Sequence, residues 1–337
     1  MSMRNFTISI AGFGLVGQRR YFYLKKKKAN VVAISDRYYP YRKKFKNKTY
    51  ENFSDMLKLS KTDIVFICLP NKYAVPATIA ALKNGSHVFC EKPPARNLKE
   101  MRSLAKHVKK NKKQVLMYGF NHRYHNSILK AKTIIDKKIF GKIINFRGVY
   151  GKSYITPKLK GPIAKQKYFS WRERKEESGG GILLDQGIHM LDLLNFFSGN
   201  FIEAKSFISN SFWKKNVEDN VYAILKNKNG IYATFNSSAT LWKHKFLLDI
   251  NLEKAIITLS GILSGTKSYG EEKIIIIKKK NNIVQERIEK FTADESWEKE
   301  INYFFKVIKS RERRKYSCGY TDALETMKLI NLIYNAS

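Results

Sequence analysis

The residues best placed to do chemistry in this chain fall into three groups. The first is Gly12-Phe13-Gly14-Leu15-Val16-Gly17, which follows the apolar run Ile8-Ser9-Ile10-Ala11 directly. A strand entering Gly-x-Gly-x-x-Gly is suited to holding a pyrophosphate. The first glycine makes the tight turn, the second admits the phosphates to the backbone, and the third lets the next helix pack closely. The N–H groups that open that helix, from Leu15 and Val16 onward, then face the anion. Asp36 closes a second apolar run, nineteen residues past Gly17. An acidic residue near this offset bonds the ribose hydroxyls of a dinucleotide, and its charge repels a 2′-phosphate, which favours NAD. Arg37 beside it leaves NADP open.

The second group is Glu91-Lys92-Pro93-Pro94, at the end of the apolar run 87–90. A lysine at the carboxyl end of a sheet strand can donate to an oxygen on which negative charge develops. The third is Asp185-Gln186-Gly187-Ile188-His189, a few residues past Gly179-Gly180-Gly181. On a helix, positions i and i+4 share a face, with Cβ atoms about 5–6 Å apart. Histidine is the usual acid–base group near neutral pH. Blander readings stand beside these. In a lysine-rich chain most lysines cover solvated faces, and a lone histidine on an apolar helix is often a satisfied core residue. Asp-x-x-x-His is also a metal-ligand spacing, but no third ligand is evident, so no metal is expected.

These groups need a scaffold, and the hydrophobic pattern predicts one. Over the first 120 residues, apolar runs of strand length at 30–35, 63–69, 87–90 and 115–120 alternate with helical patterns at 16–28, 54–59, 76–83 and 98–111. Continuous apolar runs fit a parallel sheet covered on both faces. Repeated strand–helix units then imply a doubly wound α/β fold, whose ligands bind at the carboxyl ends of the strands. After residue 120 the pattern changes: a helix at 127–138, a strand at 142–150, a basic loop at 151–167 and an apolar helix at 182–197. Closely spaced strands follow between 201 and 288, predicting an open, mainly antiparallel sheet in an α+β domain, and helices at 296–310 and 320–335 finish the chain. The expected division is a dinucleotide-binding domain over 1–120 and a substrate-binding and oligomerisation domain over 121–337.

With 337 residues the chain is long enough for two domains, and 43% hydrophobic residues is ordinary for a globular protein. No signal peptide or apolar run of membrane-spanning length is visible, and Cys68, Cys90 and Cys318 are few and far apart, so a reducing cytoplasm is the expected location. The net charge of +36 favours anionic ligands. The lysines are scattered rather than clustered, however, and no nucleic-acid-binding module accompanies them. Specific nucleic-acid binding is therefore not expected.

Taken in order, Gly12-x-Gly14-x-x-Gly17, Asp36, Leu69-Pro70-Asn71, Gly85 to Pro93, Gly119 to Arg123 and Gly179 to Asp192 resemble the glucose–fructose oxidoreductase, inositol dehydrogenase and MocA-like (Gfo/Idh/MocA) family over nearly the whole chain. The resemblance implies a Rossmann domain followed by an open-sheet domain, and NAD(P)-dependent oxidation or reduction at a hydroxyl carbon of a sugar, cyclitol or nucleotide sugar. It places the active-site lysine at Lys92, with Glu91, Leu69, Pro70 and Asn71 along the cofactor. Arg123, Tyr150, Trp171 and Arg172 join Lys92, Asp185 and His189 on the substrate side. In oxidation, His189 is expected to accept the hydroxyl proton, Lys92 to polarise the same oxygen and Asp185 to orient a neighbouring hydroxyl. One departure is Ala74, standing about where the family often has a histidine. His122 and His125 are read as surface or structural residues. Family members commonly assemble into homodimers or homotetramers through the open sheet. The competing readings are a non-catalytic NAD(P)-binding sensor or scaffold and, less favoured, a polyanion-binding protein.

Overall fold

The computed structural model describes residues 5–38, 42–43, 45, 48–154, 171–263, 268–310 and 316–337. Its first unit comprises Met1–Phe120 and Trp297–Leu324. The apolar runs become β1 (Thr7–Ala11), β2 (Asn30–Ser35), β4 (Ile64–Ile67), β5 (His87–Glu91) and β6 (Leu116–Gly119), with a short β3 (Lys48–Tyr50) that the sequence pattern had not marked. All six strands are parallel, in the order β3-β2-β1-β4-β5-β6. This order reverses direction beside β1, at the switch point where doubly wound sheets bind ligands. Ile8, Ile10, Ile64, Val65, Phe66, Val88 and Phe89 are wholly buried, as expected of a sheet covered on both faces.

The helices of this unit differ from their expected limits in instructive ways. α1 (Leu15–Lys26) follows the glycine turn. α2 (Phe53–Ser60) is capped by Asn52, whose side chain accepts the N–H of Asp55, so it begins one residue before the expected 54. α3 (Asn71–Lys83) starts five residues before the expected position, with Pro70 as its N-cap and Pro76 inside it. The expected helix over 98–111 divides at Leu104 into α4 (Leu98–Ser103) and α5 (Ala105–Lys110). The basic stretch at 39–47 lies mostly outside the described residues.

The second unit comprises Asn121–Ser296 and Glu325–Ser337. It contains α6 (Asn126–Asp136), β7 (Ile143–Gly151), the single turn α7 (Lys175–Ser178), a π-helical turn at Leu183–Gly187 and α8 (Ile188–Ser198). The strands that follow are β8 (Phe201–Ser209), β9 (Asn220–Asn227), β10 (Tyr232–Ser238), β11 (Lys245–Leu252), β12 (Ile256–Ser260), β13 (Glu272–Lys280) and β14 (Ile283–Phe291). They join β7 in one eight-stranded sheet, β14-β13-β12-β11-β7-β10-β9-β8, in which only β7 and β10 pair in parallel. Alternation sends Val221, Leu225, Phe235, Leu248 and Ile250 to the core, while Tyr222, Ile224, Tyr232 and Phe207 stand on the opposite, exposed face. From residue 155, the loop expected over 151–167 lies outside the described residues.

The expected assignment of 121–337 to the second domain needs one correction. α9 (Ser296–Ser310) groups with the first unit from Trp297 onward, and α10 (Tyr320–Asn335) begins in the first unit and ends in the second. The reason is packing: the ring of Phe304 meets Phe66 and Phe89 edge-on, with centroids 5.8 and 5.3 Å apart, so α9 covers the parallel sheet. No helix among the described residues is long and apolar enough to cross a membrane.

Candidate active site

In the first unit, register brings the cofactor-side residues to one edge of the sheet. Ala11 lies opposite both Ser35 and Ile67, and Glu91 lies opposite Gly119. Gly12, Asp36, Leu69 and Lys92 all follow these carboxyl ends. Gly12 takes φ +87°, and a Cβ there would overlap the Cys68 carbonyl. A Cβ on Gly17 would overlap the Gly12 carbonyl, so α1 can approach the turn only with glycine at that position. No side chain caps α1 at Gly14, which leaves its opening to an anion. Leu15 is exposed and Val16 half-buried on the first turn of the helix.

Asp36 is buried, and each carboxylate oxygen accepts one backbone N–H, Oδ2 from Phe13 and Oδ1 from Tyr38, both at 2.7 Å. Burial pushes its carboxyl up, against the pull of those N–H groups and of Arg42. Each oxygen keeps a lone pair for a hydroxyl, which suits a ribose diol. Arg37 is exposed, 5.5 Å from the Tyr73 ring. Leu69 and Pro70 are half-buried after β4, and Asn71 opens α3. A dinucleotide therefore fits this edge: a glycine turn, an uncapped helix and a buried carboxylate occupy the expected places.

Lys92 is half-buried, directly after β5. Glu91, beside it, is fixed by a residue with no obvious signal in the sequence. Arg20 of α1 is wholly buried, with Nε 2.6 Å from Glu91 Oε1 and Nη2 2.7 Å from Glu300 Oε2. Its guanidinium lies over the rings of Phe89 and Trp297, at 4.4 and 4.2 Å. Burial opposes its charge, but the two glutamates outweigh burial and hold it protonated. Gly119 leaves the space that Glu91 and Arg20 occupy.

The second unit holds the other groups. Asp185 lies in the π-turn rather than in a regular helix, a local irregularity common at functional sites. Glu218 holds the start of that turn, accepting the N–H groups of Gly181 at 2.8 Å and Leu183 at 3.1 Å. A Cβ on Gly181 would overlap the Glu218 backbone, which accounts for the last glycine of the run. Asp185 and His189 engage different partners. Asp185 Oδ2 accepts from Lys152 Nζ at 2.6 Å, and its Oδ1 lies 3.7 Å from Arg172 Nε. Arg172 lies over the ring of Trp171 at 4.4 Å.

His189 is buried and stacks on His122, with centroids 3.9 Å apart and planes 18° from parallel. His122 Nε2 and the Tyr150 hydroxyl share a 2.9 Å hydrogen bond, while Nδ1 lies 3.2 Å from Asn121 Oδ1. With the amide oxygen accepting from Nδ1–H, Nε2 accepts the Tyr150 proton. Burial, and next the neighbouring Tyr269, push the Tyr150 hydroxyl well up, so it stays a neutral donor. Around it, Gln186 Nε2 donates to Tyr269 at 2.5 Å, and His244 bonds Ser268 at 2.8 Å.

His122 and His125, read as surface or structural, are buried, as the structural alternative has it, and His125 bonds Glu272 at 2.8 Å. One expectation needs correction. Arg123, expected to contact substrate, spends its fork inside the unit: Nε and Nη2 donate to the two oxygens of Asp192, at 2.7 and 2.6 Å. Sequence reasoning also missed Lys152, Tyr269 and His244. Lys152 is one of 64 Lys and Arg residues and has no distinguishing neighbours, so only the fold reveals it.

Residues 6–120 match the family model for the oxidoreductase family with an NAD-binding Rossmann fold, and residues 128–258 match the GFO/IDH/MocA C-terminal domain. The chain is 31% identical over 216 residues to D-glucoside 3-dehydrogenase of Escherichia coli (strain K12), covering 61% of this chain and 58% of that protein. It is 32% identical over 146 residues to levoglucosan dehydrogenase of Pseudarthrobacter phenanthrenivorans, covering 43% and 35%. The chain thus spans less than two thirds of the length of these curated relatives. Among solved structures, levoglucosan dehydrogenase in complex with NADH superposes with TM-score 0.84 at 19% identity, covering 98% of this chain and 96% of that one. Aldose-aldose oxidoreductase from Caulobacter crescentus gives 0.78 at 20% identity, covering 98% and 96%. At these identities the likeness is one of fold. With one model of the same family matching in each unit, the chain belongs to the Gfo/Idh/MocA oxidoreductase family, and its first unit is an NAD-binding Rossmann domain.

Proposed function

We propose that this protein is an NAD(H)-dependent dehydrogenase or reductase acting at a hydroxyl or keto carbon of a sugar, cyclitol or nucleotide sugar. The observation that carries this reading is Lys92, half-buried at the carboxyl end of β5 in a Rossmann unit of the NAD-binding type. The names of the relatives, which dehydrogenate a glucoside and levoglucosan, support the substrate class. The turn at Gly12, Gly14 and Gly17 and the Asp36 carboxylate would hold the dinucleotide, with Leu69, Pro70, Asn71 and Glu91 along it. When bound, the nicotinamide supplies the hydride acceptor or donor. Asp36 disfavours a 2′-phosphate, so NAD is preferred over NADP.

On the substrate, Lys92 donates a hydrogen bond to the reacting oxygen and stabilises charge there as the hydroxyl becomes a carbonyl. His189 takes the hydroxyl proton, and returns it in the reverse direction. His122, stacked on His189 and tied to Tyr150, fixes the plane of that ring. Asp185 orients an adjacent hydroxyl, with Trp171 and Arg172 beside it. The open sheet face bearing Phe207, Tyr222, Ile224 and Tyr232 is the surface through which a second copy would dock as a homodimer or homotetramer. Free Cys68, Cys90 and Cys318 suit a reducing cytoplasm. Fluorescence titration with NADH and NADPH tests the cofactor half of the reading. Binding of NADH several-fold tighter than NADPH, and weakened in Asp36→Ala, is the expected result; equal binding of both by the two proteins would count against it.

A further inference from the structure

The glycine run at 179–181 and the π-turn that follows it meet one buried carboxylate, that of Glu218, just before β9. A helical segment opens with N–H groups that have no partner inside it. Three in succession go to Glu218 here. The Gly181 N–H donates to Oε2 at 2.8 Å, the Ile182 N–H to the main-chain carbonyl at 3.1 Å and the Leu183 N–H to Oε1 at 3.1 Å. Oε1 also accepts from the Tyr334 hydroxyl of α10 at 2.9 Å. A Cβ on Gly180 would overlap that hydroxyl, so two glycines of the run make room for the two members of this clamp.

The clamp is itself anchored. Asp219, next in the chain, is wholly buried; its N–H donates to Ser209 O at 2.8 Å and its C=O accepts from Ala239 at 2.7 Å. Its carboxylate takes the N–H groups of Phe212 and Trp213, each at 2.9 Å. Glu218 is thus held to the ends of β8 and β10. A buried carboxylate is costly and persists where donors meet it. This one directs its bonds to the first turn of the segment that carries Asp185 and His189. The π-turn sets those two side chains against different partners, Asp185 against Lys152 and His189 against the ring of His122. Rewound as a regular α-helix, positions 185 and 189 would share one face, and that division would be lost.

We propose that Glu218, with Tyr334, is a positioning residue for the reaction: it holds the π-turn at the winding that sets Asp185 against Lys152 and the His189 ring against His122. This rests on the reading of the chain as a sugar dehydrogenase. The test measures kcat and KM for nicotinamide reduction with a panel of hexopyranoses, their methyl glycosides and their hexuronates. Wild type, Glu218→Gln, Tyr334→Phe and the double variant are compared, with near-UV circular dichroism at the assay temperature as the control for folding. Glu218→Gln keeps the size of the side chain but turns an amide donor towards a backbone donor. Its kcat is expected to fall by about 100-fold, more than the sugar KM rises, with NADH affinity unchanged. Tyr334→Phe leaves both N–H bonds to the Glu218 side chain in place and lowers kcat by about three- to tenfold. The double variant falls no further than Glu218→Gln, because both changes act through one carboxylate. Wild-type kcat in folded Glu218→Gln, or in Tyr334→Phe should the first variant not fold, means that the clamp only stabilises. Either result, or losses that multiply in the double variant, overturns the proposal and leaves the dehydrogenase reading intact. No turnover of any sugar by wild type that binds NADH overturns both.

Discussion

His189 and Glu272 show how single side chains take their roles from their neighbours. His189 is buried against His122, so its ring plane is fixed before any substrate arrives. Replacing it with Asn should lower kcat/KM by about 10²–10⁴-fold, the usual contribution of a general acid–base group, with NADH affinity unchanged. Steady-state rates beside a fluorescence titration check both halves of that statement. Replacing His122 with Phe keeps an aromatic ring but loses the bond to Tyr150. A drop in kcat smaller than that of His189→Asn, with a changed pH profile, is expected for a positioning residue. Glu272 governs stability instead. Burial works to raise its carboxyl, but the bond and charge of His125 and the Ser127 N–H outweigh it, so the folded value lies below the ordinary 4.5. Its stabilisation is therefore complete above about pH 4.5 and is lost as pH falls through the folded value. Urea midpoints measured from pH 7 downward should fall less steeply for Glu272→Gln than for wild type.

At the scale of elements, Arg20 joins a helix, a strand end and the distant helix α9. Removing it in Arg20→Met leaves Glu91 and Glu300 as buried carboxylates and should cost about 3–5 kcal/mol, read as a lower urea midpoint. Arg20→Lys should recover little, since an ammonium cannot reach both partners as the planar fork does. This network was not legible in the sequence, because Glu300 lies 280 residues beyond Arg20 and only the return of α9 to the first sheet brings them together. Local signals fared better. The glycine turn, most strands of both sheets and the positions of Lys92 and Asp36 follow from apolar runs and turn residues. The π-turn at Leu183–Gly187 escaped, since its winding depends on Glu218, which lies 31 residues past Gly187. β3 and β14 escaped too: β14 is exposed along most of its length and lacks the alternation that marks a half-buried strand.

For the molecule as a whole, the +36 charge and the apolar sheet face make separate demands. A polyanion-binding protein would bind nucleic acid tightly and lose it steeply with salt, without preference for nicotinamide. A scattered lysine surface predicts only weak, salt-screened attraction, checked by titrating duplex DNA at two salt concentrations. The sheet face predicts self-association. Phe207→Asp with Ile224→Asp should shift sedimentation towards the monomer without loss of NADH binding, since both side chains are exposed within the second unit. The central claim remains hydride transfer that depends on Lys92. Its most direct test is the absorbance of reduced nicotinamide after mixing the protein with NAD and a panel of pyranoses and their uronates, for wild type and Lys92→Ala. The account predicts reduction by wild type and a loss of about 10²–10⁴-fold in the variant, with NADH binding retained. Equal rates in the two proteins, or no reduction by wild type that binds NADH, would contradict it.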